Sequence, residues 1–234
     1  MRSARELVPD PLKPPLRRLE ASLLALRSGE RLRDRSRMPW RRAEPNAALT
    51  WGRDLDGHAF VSKATDHGAF ANGGTILEIG PGYGRLLASA LESGAPFERW
   101  IGVDISETNV AHLRERFDDP RAEFVLADAE DFEPPAALDA ILSSLTLKHF
   151  FPTFEAALRN LASKLNKGGM VVVDLIEGEH LRHFEGDGET FVRWYTRDEV
   201  TAIFDRCGLD ASFDYVDHDD DPAHRRLLAV GRKR

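Results

Sequence analysis

Cysteine occurs once in the 234 residues, at Cys207. A single thiol cannot close an intramolecular disulfide and offers no cluster for zinc, so the fold must rest on its apolar core. No run of about 18 apolar residues is present, which leaves no candidate for a membrane-spanning helix. The basic N-terminus is not followed by the apolar stretch of a secretory signal. The expectation is therefore a cytoplasmic protein with no membrane partner. A broad basic face is missing too. The net charge is −7, and its distribution is uneven: residues 1–46 hold 12 Lys and Arg against 6 Asp and Glu, the remainder 20 against 33. Phosphate backbones need a basic surface, so an acidic body argues against nucleic acid as a partner. With 42 % hydrophobic and 30 % charged residues, the chain suits one domain with a sizeable core.

Composition divides the chain into a basic arm over 1–46, punctuated by Pro9, Pro11, Pro14, Pro15, Pro39 and Pro45, and a domain over 47–234. In the arm, Leu16, Leu19, Leu23 and Leu26 recur at helical spacing and predict an amphipathic helix over 16–34. Its apolar stripe docks on the domain or on a second copy in a homodimer; a cap over the active site and contact with an anionic membrane surface are the alternatives. From Gly57 onward, helices and strands alternate. Helices are expected over 58–70, 83–93, 107–117, 153–165 and 196–207, the last opened by a Thr196/Glu199 capping box and closed by Gly208. Strands are expected over 75–79, 99–104, 122–127, 138–143 and 170–176, with a final hairpin of 210–216 and 225–230. This is an α/β pattern: a seven-stranded, mostly parallel sheet covered on both faces, with a C-terminal antiparallel hairpin and an N-terminal helical arm.

The most informative stretch is Ile76-Leu77-Glu78-Ile79-Gly80-Pro81-Gly82-Tyr83-Gly84-Arg85. A buried strand runs into a glycine-rich turn and then a helix, so the backbone can approach a ligand at the C-terminal end of the strand. A dinucleotide fingerprint requires Gly or Ala where Arg85 stands, and Pro81 removes a backbone N–H that would face a pyrophosphate. No Gly-Lys-Ser/Thr follows, so a P-loop is absent.

At these residues the chain resembles the class I S-adenosylmethionine-dependent methyltransferases, and the resemblance continues in order over about 75–232. Trp100-Ile101-Gly102-Val103-Asp104-Ile105 is similar to the second strand of that Rossmann-like fold, whose terminal carboxylate accepts both ribose hydroxyls. Phe124-Val125-Leu126-Ala127-Asp128-Ala129 is similar to the third, whose Asp accepts from the adenine amino group. Leu138 to Ser144 resembles the fourth, whose end contacts the methionine part, and Leu165 to Asp174 resembles the following turn and fifth strand. The resemblance implies S-adenosyl-L-methionine as cofactor and S-adenosyl-L-homocysteine as product. The implied cofactor-binding residues are Glu78, Gly80, Pro81, Gly82, Gly84, Asp104, Ile105, Asp128, Ala129 and Ser144.

The acceptor is expected beyond the fourth and fifth strands, among Lys148, His149, Glu177, His180, His183 and Tyr195. His149 has the intrinsic basicity of a general base near neutrality; a packing or orienting role is the alternative. His180 and His183 are catalytic candidates in an insertion, 177–194, that also carries Phe184, Phe191 and Trp194; it either walls the acceptor or forms a solvated hairpin. The run Asp217 to His224 reads as a solvated turn, and no metal site is implied. Ser143-Ser144-Leu145-Thr146 departs from both the liganding Asp of catechol-type relatives and the Pro-Pro motif of DNA-amine enzymes. Trp51-Gly52-Arg53-Asp54 falls where relatives close a lid. The compact size favours a small-molecule acceptor, a hydroxyl first, in secondary or carbohydrate-related metabolism. RNA- or protein-directed transfer and a non-catalytic nucleoside-binding scaffold stay open.

Overall fold

Successive residues of the parallel strands point to opposite faces of one sheet, and both faces are buried. The computed structural model describes residues 29–43, 55–179, 182–184, 190–219, 221 and 224–234. Strands β1 (Thr75–Ile79), β2 (Arg99–Asp104), β3 (Ala122–Leu126), β4 (Leu138–Ser143) and β5 (Leu165–Glu177) pair in parallel in the order β3-β2-β1-β4-β5. Ile76, Trp100, Leu142 and Val172 face one side with Phe60, Leu86 and Val110. Leu77, Ile101, Ile141 and Val173 face the other with Phe154, Leu158, Val200 and Phe204. Each fully buried side chain of this size contributes about 1.5–3 kcal/mol, which fixes the register, because a one-residue slip would exchange the two faces.

The helices supply those partners. α2 (His58–Asp66), α3 (Arg85–Ser93) and α4 (Glu107–Arg116) cover the first face; α5 (Glu155–Ala162) and α6 (Arg197–Arg206) cover the second. Ser106 caps α4 by accepting from the Asn109 N–H at 3.1 Å, and Thr196 caps α6 by accepting from the Glu199 N–H at 3.2 Å. The reciprocal half of the expected capping box is diverted, because the Glu199 carboxylate binds Arg193.

Two further differences bear on the site. The insertion after β5 forms two short strands, β6 (Arg182–Phe184) and β7 (Phe191–Tyr195), so the sheet has nine strands where seven are expected. Phe184 and Phe191 are buried with Leu32 and Phe151 in a third apolar cluster, so they are packed and not the aromatics of a solvated hairpin. The C-terminal hairpin, β8 (Leu209–Val216) and β9 (Arg226–Lys233), runs antiparallel, with β9 along β5. The first helix among the described residues, α1 (Gly29–Arg41), ends beyond the expected boundary at 34 and carries Pro39 in its last turn. The leucine stripe of 16–26 lies outside the described residues. No described helix is long and apolar enough to cross a membrane.

Candidate active site

The C-terminal ends of β1 to β4 open into one cleft with an empty volume of about 1230 Å³, part of it open to solvent. Gly80, Pro81, Gly82, Asp104, Ile105, Asp128, Ala129 and Ser144 all line it, so residues scattered over 65 positions converge on one surface. Glu78 and Gly84 do not; they sit beneath and beside the turn. Gly80 and Gly82 both have positive φ, at 68° and 57°. A side chain at Gly80 would strike Thr146, whereas a Cβ at Gly82 would meet nothing within 4 Å, projecting into open space. The turn is therefore shaped to let a ligand lie against bare backbone.

Asp104 ties this turn to β2. Its Oδ2 accepts the Gly82 N–H at 3.1 Å and its Oδ1 the Ser106 N–H at 2.8 Å. Burial raises its pKa, opposed by those same hydrogen bonds. Each carboxylate oxygen has two lone pairs, so acceptor capacity remains for a ligand's hydroxyls. Nearby Asn109 also lines the cleft, and its Oδ1 is buried without a hydrogen-bond partner among the described residues. Glu78 is 2 % exposed and accepts from Trp100 Nε1 at 3.0 Å. Burial pushes its pKa up to about 7.

The described part of the arm forms a wall of the cleft. Ser36, Arg37, Trp40 and Ala43 line it, and Ser106 Oγ donates to the Ala43 carbonyl at 2.7 Å. Arg37 lies 2.9 Å from both Asp128 and Glu130. Residues 36–43 thus pack against the domain's own cleft.

His149 lies in a one-turn 3-10 helix, Leu147–His149, and lines the cleft. Its Nδ1 is 2.7 Å from the Phe191 carbonyl, so Nδ1 carries the proton and Nε2 the lone pair. That Nε2 is buried with no hydrogen-bond partner among the described residues, as is Nε1 of Trp40, whose ring centroid is 4.3 Å from the imidazole. Burial, then the charge of Lys148, pushes the His149 pKa down to about 3. Lys148 lines the cleft as well. Of the other candidates, Tyr195 is fully buried in the core and Glu177 is held on the surface by Arg197 and Tyr215; neither lines the cleft. His180 lies outside the described residues, as do the lid candidate 51–54 and the side chain of His183, whose backbone pairs β6 with Val192 of β7.

Behind the cleft lies a group the sequence reading missed. Asp174 of β5 is buried and accepts from Ser144 Oγ, from the Leu145 N–H at 2.7 Å and from His218 Nε2 at 2.8 Å. Burial works to raise its pKa, but the bonds from His218 and Ser144 outweigh that and hold it below the usual carboxylate range. The side chain of His218 is 1 % exposed. Within the run expected as a solvated turn, His218 folds inward, hidden in sequence by the alternation of Asp and His. Arg85 lines the cleft and donates to Ser144 Oγ at 2.6 Å and to the Asp56 carbonyl at 3.0 Å, and forms no ion pair among the described residues. Among the described residues, no three His, Cys, Asp or Glu side chains cluster to hold a metal.

A family model described as a methyltransferase domain matches residues 76–169. No curated protein matches the chain in sequence. Solved structures share its fold. The glycopeptide N-methyltransferase MtfA, complexed with S-adenosyl-L-methionine, is 16 % identical over 77 % of this chain and 96 % of its own, with TM-score 0.63. The N-methyltransferase NodS from Bradyrhizobium japonicum, complexed with S-adenosyl-L-homocysteine, is 16 % identical over 85 % and 98 %, with TM-score 0.62. The amino pentose methyltransferase CalS10 from Micromonospora echinaspora is 19 % identical over 78 % and 94 %, with TM-score 0.58.

Proposed function

We propose that the chain, which matches a methyltransferase-domain model over residues 76–169, is a class I S-adenosylmethionine-dependent methyltransferase whose cleft methylates a nitrogen atom of a small-molecule acceptor. The cleft fits the cofactor on its own terms: a bare-backbone turn, a buried carboxylate at Asp104, and beside it Asn109 Oδ1, which has no hydrogen-bond partner among the described residues. Asp104 would accept the ribose hydroxyls, Asp128 the adenine amino group, and Ile105 and Ala129 would flank the base. Arg85, with two of its five donors engaged, is the cation available to the carboxylate at the methionine end. When bound, S-adenosylmethionine supplies an electrophilic methyl on a cationic sulfur and leaves as S-adenosylhomocysteine.

The observation that carries the choice of acceptor atom is the buried Nε2 of His149, which has no hydrogen-bond partner among the described residues. It can accept a hydrogen bond and so orient an N–H donor. With a pKa of about 3 it is a poor base for the proton of an alcohol. The hydroxyl favoured from sequence needs that proton removed as it attacks, whereas a neutral amine attacks with its own lone pair. The N-methyltransferases MtfA and NodS support this reading. Methyl-labelled cofactor incubated with small-molecule extracts tests it: the product should carry the label on nitrogen. Label found on oxygen, or on RNA or protein with none on small molecules, would overturn it.

A further inference from the structure

We infer that His218 is a positioning residue for the amino-acid end of the cofactor, acting through a buried relay of side chains. This rests on the S-adenosylmethionine reading above. The chain of contacts starts in the turn between β8 and β9, where His218 Nε2 donates to Asp174 Oδ2 at 2.8 Å. Both side chains are 1 % exposed. The same carboxylate oxygen accepts a hydrogen bond from the Ser144 hydroxyl, and Ser144 Oγ in turn accepts from Arg85 at 2.6 Å. Its other oxygen takes the Leu145 N–H at 2.7 Å. Leu145 has φ of 61° and is the one described non-glycine residue with positive φ. Such a conformation persists only where surrounding contacts hold it, and the Asp174 bond is one of those contacts.

Ser144, Leu145 and Arg85 line the cleft, whereas Asp174 and His218 do not. The relay therefore acts on the wall beyond β4 and leaves the adenosine wall of Asp104 and Asp128 untouched. A buried carboxylate with three donors is fixed in orientation; removing one donor frees it to rotate or protonate. Ser144, Leu145 and Arg85 would then lose their common anchor. A purely structural histidine would affect the whole cleft or only stability, so the two roles separate by ligand.

The test is calorimetric titration of the full chain with S-adenosylhomocysteine and with methylthioadenosine, which shares the adenosine and sulfur but lacks the amino-acid end. His218→Leu should weaken S-adenosylhomocysteine about tenfold, the loss of one buried charge-assisted bond, and leave methylthioadenosine within about twofold. His218→Gln, whose amide N–H can still reach Asp174, should restore most of the difference. Equal losses for both ligands, no loss for either, or no rescue by Gln would overturn the assignment. Should the Leu variant fail to fold, Ser144→Ala cuts the relay one link later and must give the same selective loss; an unchanged ratio would refute it. A parent protein that binds neither ligand would overturn the cofactor reading itself, and the role of His218 with it.

Discussion

Arg37 of α1 holds its Nε 2.9 Å from Oδ2 of Asp128, joining the N-terminal helix to the strand end expected to read the adenine base. The Arg37 side chain is 18 % exposed and Asp128 16 %, so the pair is sheltered from screening. Its second arm reaches Glu130, which Arg33 also approaches at 3.3 Å. Burial raises the Glu130 pKa, and Arg37 and Arg33 oppose that rise. The helix is thus latched over the cleft by charge as well as by Leu32.

Arg37→Ala should release this latch. Hydrogen exchange over 29–43 should quicken in the variant by roughly 5- to 30-fold, as expected for losing about 1–2 kcal/mol of local interaction. In the parent, S-adenosylhomocysteine should slow exchange in the same segment, because α1 lines the site. An unchanged segment in both experiments would show that α1 is not coupled to the cleft.

Asp104→Asn should weaken S-adenosylhomocysteine binding by about 1–3 kcal/mol, the range for hydrogen bonds to a charged group. Equilibrium dialysis measures this directly. The single amide oxygen can keep only one of the Gly82 and Ser106 N–H bonds that the two carboxylate oxygens hold, so thermal stability should fall as well, by about 1 kcal/mol. Equal affinity of variant and parent would refute the ribose assignment.

Glu78 makes stability depend on pH. Its folded-state pKa of about 7 lies above its ordinary value of 4.5. The contribution of the neutral carboxyl is therefore fully present below about pH 4.5 and is lost as pH rises through about 7. Glu78→Gln keeps an oxygen for the Trp100 N–H and removes the charge. It should stabilise the protein at pH 8 by up to about 3 kcal/mol and change it little at pH 5. Denaturant midpoints at the two pH values test this; a parallel shift at both would contradict it.

His149→Phe should lower the methylation rate by roughly 10- to 100-fold through lost orientation of the acceptor. Because the His149 pKa is held at about 3, the parent's profile should show no loss of activity from its protonation between pH 5 and 8. Any fall on the acid side should follow the acceptor's own amine. A break that vanishes in the Phe variant would assign it to His149 instead.

Much of this architecture was legible because its signals are local. Strands β1 to β4 are short runs rich in apolar residues, and the residues at their ends stand next to them in sequence, so Asp104, Asp128 and Ser144 could be named as strand-end candidates without knowing the tertiary fold. What escaped depends on contacts across the chain. Trp40 meets His149 from more than a hundred residues away, and nothing in the Arg-rich stretch around it separates a wall of the cleft from a solvated helix. Strand β6 spans three residues, too few to show a period. His218 sits among aspartates that favour turns, and only the antiparallel return of β8 and β9 beside β5 brings it to Asp174. The left-handed Leu145 has no sequence signature, since β-turn and strand residues of the same type are common.

The central claim is that the cleft beneath α1 is built for an adenosyl amino-acid cofactor, and calorimetric titration of the unmodified chain with S-adenosylhomocysteine, in the presence and absence of excess NAD, tests it most directly. Saturable binding of one molecule per chain, unaffected by NAD, is the predicted result. Absence of heat with S-adenosylhomocysteine, or its displacement by NAD, would contradict it.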